Sequence, residues 1–363
     1  MRREIAAKMS DGVASGVFPG GVLLFSHHGR IVFHKAFGSA SLIPTPVPLT
    51  PHTVFDLASL TKPLATTAAI ALLVDRGEIC LSDPVSRFIP AFGQGEKARV
   101  TLTHLLSHSS GLPAWKPYYQ EIVRQNEREP GFLGSEGAWT LGYQLACCER
   151  LIRLPGTAGL YSDIGFILLG AIVEEIAGMR LDQFCNRAVF SPLGCRLFWS
   201  GEKRLLARPL ASTEACSWRG GIISGTVHDD NAYAMGGRTG HAGLFGTAKA
   251  VHTLVQGWLA ATRGDGFIDE RLANRFVRCR KGRGVPAGST WGLGWDTPSK
   301  VGSSSGHFFS RASFGHLGFT GTSIWVDCDK AWVVILLTNR VHPSRENDRI
   351  CQFRPEIHDL ILS

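Results

Sequence analysis

Residues Ala65 to Val74 predict a helix that is apolar on nearly every face, built from Ala, Ile, Leu and Val around two threonines. A helix with no wet side is stable only when packed all round, so this segment predicts the centre of a large domain. A chain of 363 residues can bury such a core and has room for two lobes. Immediately before it stands Phe55-Asp56-Leu57-Ala58-Ser59-Leu60-Thr61-Lys62, with Pro63 suited to a first helical turn. Three residues advance an α-helix by roughly 300°, so Ser59 and Lys62 share a side, about 60° apart. The lysine is then placed to take the serine's proton. Ser59 also sits at the positive end of a buried helix dipole, which favours a developing alkoxide. Taken alone, the spacing is weak evidence, and a helix-capping serine with a solvated lysine is the commoner reading of such a pattern.

Two downstream segments add to it. Gly159-Leu160-Tyr161-Ser162-Asp163 leads into a second apolar helical run, Ile164 to Ile176. Phe314-Gly315-His316-Leu317-Gly318-Phe319-Thr320-Gly321-Thr322-Ser323 leads into the alternating strand Ile324-Trp325-Val326. With these in order, the chain resembles the serine β-lactamase and penicillin-binding-protein superfamily, whose later motifs are Tyr-x-Asn and Lys-Thr-Gly. Within it the likeness is to class C β-lactamases and family VIII esterases. Gly20 to Phe25 with His28 to Phe33 resembles the superfamily's opening hairpin, Val100 to Pro113 its helix and exit turn, and Gly240 to Ala248 its turn into a late helix.

The resemblance implies an α+β, β-lactamase/transpeptidase-like fold: an antiparallel sheet flanked by terminal helices, with an inserted, mainly helical lobe. Residues 1–57 plus 240–363 would form the sheet lobe and 58–239 the helical one, with the active site in the cleft between them. Strands are expected at residues 21 to 37, near Trp291 to Trp295, at Thr322 to Val326 and at Trp332 to Asn339, and a last helix at Pro355 to Leu362. The resemblance further implies acyl-enzyme chemistry on an ester, amide or peptide. Ser59 would attack, Lys62 and Tyr161 would share its proton, and the backbone N–H groups of Ser59 and Phe319 would hold the oxyanion. Gly318 lets substrate approach the strand closely.

Two departures from the superfamily's motifs shape the expected chemistry. Asp163 stands at the Asn position, and a carboxylate facing Lys62 would keep it protonated. That charge would lower the Tyr161 pKa, making Tyr161 the base. His316 and Leu317 replace the lysine and hydroxyl that grip substrate carboxylates, and a mostly neutral imidazole grips less. Ester hydrolysis is therefore expected above β-lactam or D-alanyl-D-alanine hydrolysis. A D-peptidase, a weak β-lactamase, an acylated penicillin sensor and a non-catalytic scaffold are the alternatives. Residues 114 to 140, rich in aromatics and turn formers, are expected to form a mobile wall, with Trp115 and Tyr118 as candidate substrate contacts beside His228, His241 and Leu317.

Composition excludes more than it identifies. With 44% hydrophobic and 19% charged residues the chain is ordinary for a globular protein, and no segment has the length of a membrane span. The start, Met1 to Lys8, reads as an amphipathic helix without a signal core, so a cytoplasmic protein is expected. Nine scattered cysteines read as core residues in a reducing compartment. The net charge of +8 has one local concentration, Arg275 to Arg283, without a nucleic-acid module, and reads as a solvated loop. No metal or other cofactor is expected, since His104 and His108, though spaced i, i+4, lack the glutamate of a zinc helix. Gly302-Ser303-Ser304-Ser305-Gly306 matches a nucleophile elbow in letters but has neither the strand before it nor the helix after it. Oligomeric state is not predicted.

Overall fold

The computed structural model describes residues 1–279 and 285–363. Alternation along the strands explains its layers. In the strand Gly20–His27, Leu23 and Phe25 point to one face and Val22 and Leu24 to the other, as a period of two requires. Trp332–Thr338 repeats the pattern, with Val334 and Leu336 against Val333, Ile335 and Leu337. The first face packs on the terminal helices Arg2–Ala14 and Ile350–Leu362 through Ile5, Met9, Phe353 and Ile357. The second face joins the larger core, which holds the apolar helices Ala68–Asp75, Asp163–Ala177 and Ala248–Ala261.

The sheet has six strands in the order Val47–Pro48, Arg30–Ser41, Gly20–His27, Trp332–Thr338, Ser323–Asp327, Phe314–Leu317. Each neighbouring pair is antiparallel. The two chain ends thus meet in its centre, and Phe314–Leu317 is left as an edge facing the helices. The α+β, β-lactamase/transpeptidase-like fold is present.

Several local expectations need correction. Trp291 to Trp295 is not a strand: Gly294 adopts φ +77°, which breaks extension, and only Asp296 bridges to Gly315. Residues 114 to 140 are largely helical, with Tyr118–Arg128 starting directly after Pro117 and Glu136–Cys148 following. The last helix begins at Ile350 and carries Pro355 inside it. Arg275 belongs to the helix Glu270–Val277, not to a loop, while Arg280, Lys281 and Arg283 lie outside the described residues. Among the described residues no helix is long and apolar enough to cross a membrane.

Candidate active site

Asp56 pins the turn that carries Ser59. Its buried carboxylate accepts the Ala58 amide at 2.8 Å and the His228 amide at 2.6 Å. Between them Ala58 is held at φ +48°, a left-handed conformation unusual for a residue with a side chain. The chain then winds as a 3-10 turn, Ala58–Leu60, and a wide π turn, Lys62–Thr67, before the regular helix Ala68–Asp75. The connection that follows the edge strand is tied to the same turn, because Thr320 and Thr322 donate to the carbonyls of Asp56 and Leu57. Gly318 is required at that junction, since a Cβ there would lie 2.7 Å from the Leu57 carbonyl oxygen.

Lys62 is fully buried, and its Nζ donates to Ser59 Oγ at 2.9 Å and to the His241 carbonyl at 3.1 Å. Asp163 Oδ1 lies 2.7 Å from the same nitrogen, and the Tyr161 ring centroid 4.9 Å from it. Asp163 reaches this position because Ser162 caps its helix, Asp163–Ala177, aiming the first turn into the cleft. Burial works to lower the Lys62 pKa, but Asp163 and then Tyr161 outweigh it and hold the ammonium above the ordinary lysine value. The sequence predicts the opposite balance for Tyr161. Lys62 does pull its pKa down, yet burial outweighs that pull, so the resting site holds a phenol.

Around Tyr161 lies a cluster of rings. The His108 centroid is 4.5 Å from Tyr161 and 4.4 Å from Trp291, and Trp291 is 5.5 Å from His316. His108 Nδ1 accepts the Ser162 amide at 3.0 Å, which orients the segment joining Tyr161 to Asp163. His316 Nδ1 donates to the Leu317 carbonyl at 2.8 Å. Burial, reinforced by Lys62, pulls the His316 pKa down to about 3 and that of His108 well below its ordinary value. Both rings are therefore neutral at pH 7, and the edge strand presents no cation where Lys-Thr-Gly would.

A cleft of about 610 Å³ opens over these groups, lined by Ser59, Tyr161, Asp163, His316, Leu317 and Gly318, with Phe319 at its wall. Of the candidate substrate contacts, Trp115 stands exposed at the cleft, and His228 and His241 line it while bonded to Glu214 and Asp229. Tyr118 does not belong: it is buried in the helical core, with its hydroxyl on Glu149. Its helix turns it away from the cleft. In the segment Val227 to Ala232, Asp229 both caps a short helix and lines the cleft.

Asp56, His108 and Trp291 were not among the residues predicted from sequence. Asp56 had one available signal, its place three residues before Ser59; the other two had none. His104 caps its own helix, with Nδ1 accepting the Thr101 amide at 3.1 Å. Among the described residues no group of His, Cys, Asp and Glu is arranged to hold a metal ion.

The family described as Beta-lactamase matches residues 5–352. A protein from Escherichia coli strain K12, named provisionally as a D-alanyl-D-alanine carboxypeptidase, is 32% identical over 90% of this chain and 79% of its own. One of the same name from Salmonella typhi is 31% identical over 92% and 81%. Among solved structures, EstCE1, a hydrolase with promiscuous acyltransferase activity, aligns with TM-score 0.73 at 23% identity over 97% of this chain and 98% of its own. The octameric penicillin-binding protein homologue from Pyrococcus abyssi aligns with TM-score 0.75 at 21% identity over 99% and 77%. At these identities the two structures show a shared fold.

Proposed function

Since the chain belongs to the beta-lactamase family, whose members with this fold include serine hydrolases, we propose that it hydrolyses esters through an acyl-enzyme on Ser59. The observation that carries this reading is the chain of contacts from Ser59 Oγ to Lys62 Nζ, 2.9 Å, and on to Asp163 Oδ1, 2.7 Å. With Asp163 beside it Lys62 stays an ammonium, so it orients the hydroxyl and stabilises negative charge instead of accepting the proton. Tyr161 is the acceptor. Hydrogen bonds from Lys62 and Ser59 favour its phenolate against burial, and the reactive phenolate is a minor form that grows with pH. The Ser59 proton passes to Tyr161 as the Oγ–carbonyl bond forms, and Tyr161 returns it to the leaving oxygen. Water then repeats the cycle in reverse order. The amides of Ser59 and Phe319 are assigned to the oxyanion.

Neutral His316 and apolar Leu317 favour esters over substrates whose carboxylate lies beside the scissile bond. The test is kcat/KM for a short p-nitrophenyl ester against a chromogenic cephalosporin and an acylated D-alanyl-D-alanine peptide on one preparation, with the fluorophosphonate adduct mapped by mass spectrometry. The ester is expected to lead and the adduct to lie on Ser59. The names of the Escherichia coli and Salmonella relatives support a second reading, a D-alanyl-D-alanine carboxypeptidase, and a clear lead for the peptide would establish it in place of the first.

A further inference from the structure

On the side of Phe319 the cleft is walled by three arginines, Arg340, Arg345 and Arg354, that differ in what they touch. Arg345 is neutralised: it bonds Glu214 at 2.7 Å and lies 3.4 Å from Asp230. Arg340 is buried, 4.5 Å from the Phe319 ring centroid, and donates to main-chain carbonyls of Phe319, Arg345 and Asn347. Arg354 is only 4% exposed, and its Nε has no hydrogen-bond partner. Among the described residues neither Arg340 nor Arg354 forms an ion pair. Asp348, exposed at the rim, acts on Arg340 through space, and His358, one helical turn beyond Arg354, is kept neutral by burial.

Two buried guanidinium groups without a counter-ion are costly to fold around. Burial accordingly lowers the pKa of both, Arg354 to about 10, which still leaves them charged at neutral pH. The fork of Arg354 suits the paired oxygens of a carboxylate or phosphate, while Arg340, whose Nε and Nη1 are taken by main-chain carbonyls, adds its charge and Nη2; both residues line the cavity that contains Ser59.

We propose that Arg354, with Arg340 beside it, forms an anion subsite in the active-site cleft, which receives a carboxylate or phosphate carried by the substrate away from the carbonyl that Ser59 attacks. This rests on the reading of Ser59 as nucleophile. It also specifies the substrate: the edge strand has no charge at His316 and Leu317 for an anion beside the scissile bond, whereas the arginine wall supplies charge for one farther along. An elongated ester or amide with a distal anionic group fits both ends.

The decisive comparison uses p-nitrophenyl alkanoates against mono-p-nitrophenyl esters of dicarboxylic acids of equal length, from glutaric to suberic. At the fitting length the wild-type protein is expected to prefer the anionic ester by at least about tenfold in kcat/KM, as one charge-assisted pair would give. Arg354→Gln should collapse that ratio, and Arg354→Lys, which keeps the charge and guards against a folding artefact, should retain part of it. A ratio near one at every length, or one untouched by Arg354→Gln, overturns the proposal. Calorimetry on Ser59→Ala separates this outcome from failure of the hydrolase reading, because it needs no turnover. Adipate or inorganic phosphate should bind Ser59→Ala and lose that binding when Arg354→Gln is added. Adipate alone assigns the subsite to carboxylates, phosphate alone to phosphoryl groups, and binding of neither refutes it.

Discussion

Lys62 and Arg354 are both buried cations on one cleft, and they are treated in opposite ways. Lys62 has a carboxylate at 2.7 Å and is fully enclosed, and its pKa is held up. Arg354 has no such partner, and its pKa is pushed down by burial to about 10. A paired buried charge sets the electrostatics of the resting site, whereas an unpaired one stores a cost that a ligand can relieve. On the roles proposed above, the difference separates a group that acts on the reacting atoms from one that selects what reaches them.

The strongest way to break the comparison is to remove the paired charge. Lys62→Met should lower kcat for a p-nitrophenyl ester by about ten-thousandfold, because it removes the charge that both stabilises the transition state and favours the Tyr161 phenolate. Near-normal turnover would mean that Lys62 is merely structural. Tyr161→Phe should cost about a hundredfold to a thousandfold in kcat while leaving Lys62 paired. If Tyr161→Phe is harmless and Lys62→Met is not, the base is the lysine.

Asp163→Asn makes Lys62 more like Arg354 by taking away its carboxylate, and a fall of about tenfold in kcat/KM is expected, within the span of one lost charge-assisted bond. Its pH dependence sharpens the point. Because the Lys62 pKa is raised in the fold, the stability it brings is fully present below the unfolded lysine value and disappears as pH rises through the folded one. In Asp163→Asn the alkaline limbs of both melting temperature and kcat/KM should therefore move to lower pH. An unmoved limb would separate Asp163 from the Lys62 charge.

The smallest effect belongs to the unpaired cation. Arg354→Met should be neutral or stabilise the fold by about 1 kcal/mol at pH 7, because it removes a desolvated charge and keeps the volume. The sign follows from linkage: with its pKa lowered to about 10, Arg354 binds its proton less tightly in the fold, so its cost is present at lower pH and eases as pH rises above that value. Thermal or urea unfolding of the two proteins measures it. A marked loss of stability would show that Arg354 has a structural partner.

Legibility from sequence followed the range of the interaction. The period-two faces of Gly20–His27 and Trp332–Thr338, the all-apolar helices and the Ser59–Lys62 contact are local, each set by residues a few positions apart. Trp291 to Trp295 departs from the expected strand for a local reason as well: Gly294 takes a positive φ and turns the chain. Tyr118 failed for another, since an aromatic among turn formers proved to lie on the inward side of a helix.

By itself, the order of residues determined the family motifs, the layers of the sheet, and the presence of a carboxylate in place of an amide at Asp163. It also implied that Lys62 and Asp163 would meet, though only through the resemblance. The tertiary structure alone decided how deeply each group is buried, and hence that Tyr161 rests as a phenol, that His108 and Trp291 close around it, and that Arg354 is without an acid while Arg345 has two. Desolvation and through-space charge depend on every element packed around a group, and those elements come from distant parts of the chain.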